Sequence, residues 1–198
     1  MAEVRAAYLQ LILRQSRNLP EGERILARLS THELGRIREA GFSEWLPFSL
    51  HQALQDAKND VVGEARAAEV TRTLMMVTLA SPLVGGFVTH VLHLLGADPR
   101  PAIQWMPRGY AMILRGCGRL EPWLHPSRRM AIVRVEGMEP EVAKSPSFVV
   151  SLGHALSVIY PLTGFSGRCD LRSWDEAAGT ASFELTWDLP FELHARPM

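Results

Sequence analysis

A chain of 198 residues with 47% hydrophobic and 21% charged residues has the length and composition of one folded domain, able to bury a core without disulfides or a structural metal. Lys plus Arg and Asp plus Glu both number 21, so the net charge is zero, which argues against a nucleic-acid binder held by phosphate contacts. The apolar content excludes a disordered chain.

Residues 1–115 read as mainly helical. From Glu3 to Arg17, the apolar Val4, Tyr8, Leu11 and Ile12 recur at helical spacing with arginines opposite. Asn18 to Gly22 breaks the run, Glu23 to Leu29 makes a short second helix, and Thr31 caps a third over Glu33 to Ala40, stopped by Gly41. Trp45 to Phe48 reads as an aromatic turn. Ser49 starts a helical segment that runs to Leu79, interrupted or bent near Gly63. Ser81-Pro82 is the cap-then-proline start of another helix ending at Gly96, and two short pieces follow, Pro101 to Met106 and Pro107 to Leu114. Leu74 to Leu95 is apolar enough to raise a membrane span, but Pro82, Gly85, Gly86, His90 and His93 interrupt it, so it reads as buried helix. The N-terminus lacks the pattern of a leader peptide, and a cytoplasmic chain is expected.

Beyond residue 115 the period changes. Gly118 to His125 reads as a strand, with Pro122 marking an edge or bulge, and Pro126 to Arg128 as a turn. Met130 to Glu136 is β-branched and gives a second strand. Ser145-Pro146 opens a helix over Ser147 to Tyr160 that is apolar almost all round and hence buried. Arg168 to Trp174 and Thr180 to Asp188 form a hairpin, in which Ala181, Phe183, Leu185 and Trp187 alternate with polar residues. The chain is thus one α+β domain over 1–198, a helical half followed by a ββαββ part within 116–190. Cys117 and Cys169 make no CxxC motif and read as reduced thiols packed near strands. Among the basic residues only Lys58 and Lys144 are lysines. The arginines between Arg5 and Arg38 are interleaved with glutamates, as on a solvated helix face.

The segment Leu94-Leu95-Gly96-Ala97-Asp98-Pro99-Arg100, the stretch around Trp105, the region from Gly153-His154-Ala155-Leu156 to Gly164, and the strand ending Phe183-Glu184-Leu185-Thr186-Trp187 follow one another in a recognisable order. This order resembles a family of myxobacterial proteins of similar length with no assigned role. More distantly it is similar to the superfamily of haem-NO-binding domains, 4-vinyl-reductase domains and the small subunits of TRAPP vesicle-tethering particles. Over Trp45 to Asp188 the resemblance implies a twisted four-stranded antiparallel sheet packed against helices, an apolar cavity or groove, and dimerisation through helices. The zinc-binding cysteines of many 4-vinyl-reductase domains have no counterpart after Cys169, and no histidine matches a haem-ligand motif. Neither zinc nor haem is carried over, and no cofactor is expected.

His90 and His93 share one helical face, their Cβ atoms about 5–6 Å apart. A transition metal or haem there would need a further ligand such as His154, and Ser81 to Gly96 holds no acidic residue and no HExxH motif. Partly buried, hydrogen-bonded histidines are therefore preferred to metal ligands. Ser151-Leu152-Gly153-His154 lacks a third orienting group, no GxSxG occurs, and the Gly116-Cys117-Gly118 and Gly164 to Gly167 turns lack a phosphate-binding context. Aromatics in nearly every element, with Met75, Met76, Met106 and Met112, line a plastic apolar cavity or simply fill the core. The leading reading is a non-enzymatic, sensory or regulatory module that binds a small apolar molecule or a protein partner, as a homodimer. Its candidate ligand-binding residues are His90, His93, Trp105, Tyr110, His154 and Tyr160, with no catalytic and no metal residue. One alternative is an enzyme acting on a hydrophobic small molecule, with a histidine base and Tyr110 or Tyr160 as proton donor. The other is a scaffold without a pocket.

Overall fold

The structure is a computed structural model that describes residues 1–81, 86 and 98–188. Its elements are β1 (Glu3–Arg5), α1 (Ala6–Ser16), α2 (Gly22–Leu26), α3 (Thr31–Glu39), β2 (Trp45–Pro47), α4 (Phe48–Ala80) and α5 (Pro99–Ile113). They continue as β3 (Leu114–Arg115), β4 (Cys117–Leu124), β5 (Met130–Met138), α6 (Pro140–Ala143), α7 (Pro146–Leu156), α8 (Ile159–Thr163), β6 (Gly167–Asp175) and β7 (Thr180–Trp187). The expected helix start at Ser81-Pro82, its stop at Gly96, and Gly85 fall outside the described residues or at their border.

The fold is α+β, and the expected four-stranded antiparallel sheet is present, in the order β4-β5-β7-β6. Val133 stands opposite Phe183 and Val135 opposite Ala181, so the apolar alternation of both central strands faces one core. Pro122 lies on the edge strand β4, where its missing N–H breaks no ladder bond on the outer side. Helix α7 lies against this face: a Cβ added at Gly153 would stand 3.2 Å from the Phe183 ring, so the absent side chain lets the helix approach it. On its other side α7 packs against α4. It is thereby enclosed between the sheet and the helical half. Pro146–Thr163 is the stretch with the length and hydropathy of a membrane span among the described residues, and half of it is buried inside the fold.

Several local expectations are corrected by tertiary contacts. The first residues, read as helix from Glu3, instead form β1, central in a second sheet of order β2-β1-β3, with Val4 opposite both Leu46 and Leu114. Strands this short leave no alternation in the sequence for a period to show. For the same reason the stretch read as an aromatic turn is β2, and Trp45 is clasped there by the guanidinium groups of Arg5 and Arg115, 4.0 and 3.8 Å from its ring centre. The α3 cap is Ser30, not Thr31: Glu33 N–H donates to Ser30 Oγ at 3.2 Å while Ser30 N–H donates to Glu33 Oε2 at 2.7 Å, a reciprocal box. The two pieces expected around Pro107 are one helix, α5, capped by Asp98 and holding Ile103, Tyr110 and Ile113 in the core. A proline there forgoes one intrahelical bond, which the burial of that face offsets. The long helix expected to reach Tyr160 ends at Leu156, where Ser157 Oγ donates to His154 O at 2.7 Å and competes with the helical ladder.

Of the interruption or bend expected near Gly63, the structure shows the interruption. Gly63 takes φ 72° and ψ 167°, a conformation open essentially to glycine alone, between helical segments 48–62 and 64–80. This break positions the candidate site.

Candidate functional site

Helix α4 presents His51, Gln55 and Lys58 at i, i+4 and i+7, one helical face, towards the interior. All three are buried, and Lys58 is only 4% exposed. Lys58 Nζ donates to Thr71 Oγ1 at 2.5 Å, to Gln55 Oε1, and to Ser151 Oγ at 3.4 Å. Thr71 follows Lys58 by 13 residues. An unbroken helix would separate them by about 20 Å, beyond any lysine's reach. The break at Gly63 is what brings the second segment of α4 back to the ammonium. Ser151 comes from α7 and also donates to Gln55 Oε1 at 3.1 Å.

The protonation pattern follows from these bonds. Gln55 Oε1 accepts from Lys58, so its amide nitrogen faces His51 and donates to Nε2 at 3.1 Å. The ring therefore accepts at Nε2 and carries its proton on Nδ1, which is buried and has no partner among the described residues. Burial, and then the Lys58 charge, push His51 down to about 3, so the imidazole is neutral. Its ring is boxed by Tyr8, Phe48 and Phe148. Burial alone brings Lys58 down to about 8. At neutral pH it remains a cation.

Two voids meet at this point. The polar cluster lines one of about 60 Å³, with Tyr8, Phe148 and Leu74 among its walls. The other, about 150 Å³, lies between α4, α5, α7 and α8 and is bounded almost wholly by apolar groups, including Met75, Leu79, Trp105, Met106, Leu156 and Ile159. Met75, Tyr110, Ile113, Leu152 and Ala155 border both, so a single layer of side chains separates them.

The residues singled out in the sequence are distributed unevenly around this site. Trp105 and Tyr110 line the larger cavity, Trp105 under the Arg108 guanidinium at 4.0 Å and Tyr110 with its hydroxyl donating to Cys117 O at 2.6 Å. His154 is half-buried on α7 beside the cavity residue Ala155, and is not among the residues lining either void. Burial, Arg72 and Lys58 hold its imidazole below the ordinary value. Tyr160 is buried on α8 and its hydroxyl donates to Arg168 O, also away from the lining. His90 and His93 lie outside the described residues. Cys117 and Cys169 are free thiols, both pushed up to about 12 by burial, as expected of inert packed groups. Sequence reasoning missed Lys58, His51, Gln55 and Thr71. The available signal was a lone lysine of an arginine-rich helical half, in helical phase with Leu54 and His51.

No protein-family model and no curated protein matches the sequence. Solved structures do match in fold. A Cs H-NOX variant carrying 4-cyano-phenylalanine is 10% identical with a TM-score of 0.63, over 94% of this chain and 98% of that chain. An H-NOX structure that probes the function of haem distortion is 9% identical at TM-score 0.62, over 98% and 100%. An oxygen-binding H-NOX domain related to soluble guanylate cyclases, in its oxygen complex, is 9% identical at TM-score 0.60, over 98% and 100%. This chain has the H-NOX fold.

That finding corrects the expectation of no cofactor. The expectation rested on the lack of a matching ligand motif, yet the structures sharing the fold are haem-NO-binding domains, and at 10% identity motif positions do not carry across. Among the described residues the donors of a haem site are nevertheless not assembled. The described part of the larger cavity's lining contains no imidazole and no guanidinium, the thioethers of Met75 and Met106 are its described groups able to meet an iron, and the Tyr110 hydroxyl is engaged. A void near 150 Å³ holds a molecule the size of benzene, far smaller than a tetrapyrrole. No group of three or more His, Cys, Asp or Glu among the described residues could hold a metal ion.

Proposed function

We propose that this chain is a sensory ligand-binding module whose ligand places an apolar body in the cavity between α4, α5, α7 and α8. The observation that carries the reading is the composition of that cavity: a wall of Leu, Ile, Met and Trp side chains around a void of about 150 Å³ inside a fold that other proteins use to hold a sensed molecule. Such a void favours apolar occupants, because water inside it would find almost no polar partner. Transfer of an apolar body from water contributes about 25 cal/mol per Å² buried, enough for micromolar-to-millimolar affinity once association costs are met. Helix α7 is the element suited to pass on occupancy. It borders the cavity through Leu152, Ala155 and Leu156, the polar cluster through Ser151 and the sheet through Gly153.

Native mass spectrometry of the protein purified from its own host, with a visible absorption spectrum of the same sample, tests this reading. A retained small molecule supports it, and a Soret band would identify that molecule as haem. A chain that carries nothing, and whose melting temperature is unmoved by toluene, octanoate and haemin, would overturn it.

A further inference from the structure

A buried ammonium is ordinarily matched by an anion, because a solitary charge away from water is costly. Among the described residues Lys58 has no such match. Its three hydrogen-bond partners, Gln55, Thr71 and Ser151, are all neutral, and burial is the sole influence on its titration, with no carboxylate acting on it. The surrounding field is positive as well: Lys58 and Arg72 both depress the neighbouring His154, against which Glu64 alone acts. The cluster also holds more donors than acceptors. Thr71 Oγ1 accepts from Lys58 and its own proton meets no acceptor among the described residues, and the His51 Nδ1 proton is likewise unpartnered. A carboxylate brings one negative charge and about four lone-pair sites to answer these groups.

On the reading that the apolar cavity binds a ligand, we infer that the Lys58–Thr71–His51 cluster receives the carboxylate of an apolar monocarboxylic acid whose hydrocarbon body occupies the adjoining cavity. The two voids share walls, so one molecule spans both once the layer formed by Met75 and Leu152 side chains shifts rotamer. The larger void limits the body to roughly six to eight carbons, by comparison with cavities that accept benzene. Lys58 carries the charge match, Thr71 and His51 supply neutral donors, and Gln55 orients the first and last of these through its two amide ends.

Calorimetric titration at pH 7 with octanoate and with methyl octanoate, on the unaltered protein and on K58M, tests the inference. The unaltered protein is expected to bind octanoate at least tenfold more tightly than the ester, and K58M to lose that preference while still taking the ester. Equal affinity for acid and ester, as a cluster satisfied by water would give, overturns the carboxylate inference and leaves the cavity reading standing. Binding of neither overturns the carboxylate inference, and the cavity reading falls with it only if toluene and haemin also leave the melting temperature unmoved. If K58M does not fold, the acid-against-ester comparison on the unaltered chain decides alone, and T71V, which keeps the side-chain shape and removes one donor, is expected to weaken octanoate severalfold without affecting the ester.

Discussion

Lys58 shows how one buried side chain couples stability to pH. Its folded-state value is depressed to about 8 from an ordinary 10.5, so the unfolded chain binds more protons between those limits. Stability from this group therefore rises with pH across the window from about 8 to 10.5, and the cost of the buried cation is fully present below it. Replacing Lys58 with methionine is expected to abolish that rise, which is on the order of 3 kcal/mol, as measured by denaturant unfolding at pH 7 and pH 10. The difference between the two proteins isolates Lys58 from Tyr110, Tyr160, Cys117 and Cys169, whose raised values act in the opposite sense at alkaline pH. Lys58 acts on His51 and His154, and both are depressed, so neither titrates in that window, while Tyr8 and Tyr110, which line the same void as Lys58, are raised by burial. His51 itself gives an acid-side effect. With its folded value near 3, the unfolded chain takes up the proton first as pH falls from about 6.5, so stability from this group is lost between about 6.5 and 3. An H51F variant is expected to flatten that part of the stability profile in thermal melts between pH 7 and pH 4.

Helix α4 depends on its break more than on its helical stretches. Gly63 has open space where a Cβ would go, so the cost of G63A is conformational and not steric, about 1–3 kcal/mol for that backbone region. G63A is expected to lower stability by that amount, read from denaturant midpoints. Gly109 provides the contrast: it lies inside α5 with helical backbone and equally open space, so G109A is expected to stabilise by about 0.5–1 kcal/mol, read from denaturant midpoints. An interruption or bend near Gly63 was legible in the sequence as a glycine inside a long helical pattern, but which of the two was not, because periodicity on each side is unchanged by the angle between segments. Likewise α5 was legible as helix on both sides of Pro107, while its continuity depended on burial of Ile103 and Tyr110. The three-residue strands β1 and β2 had no local signal at all, since pairing between Val4 and Leu46 is made only when distant segments meet.

The whole molecule places α7 at the junction of sheet, cavity and polar cluster, and Leu152 at the boundary between the two voids. L152A is expected to merge them, costing about 2–5 kcal/mol, and to regain about 2.7 kcal/mol when a ligand such as toluene is present at a hundredfold its dissociation constant, visible as a restored melting temperature. What the residues alone determined is the part written in short-range patterns: the β7 alternation of Ala181, Phe183, Leu185 and Trp187, the β-branched run of β5, the apolar face of α7, and with them the α+β class. Trp105 and Tyr110, two of the aromatics that the sequence offered for a cavity or for the core, line the larger cavity. Tertiary structure decided the rest. Ser151 is 93 residues from Lys58, and Thr71 lies across a backbone break from it. Whether a lysine points to water or into a cavity leaves no trace in local spacing, since the free energy that settles it comes from packing between segments far apart along the chain.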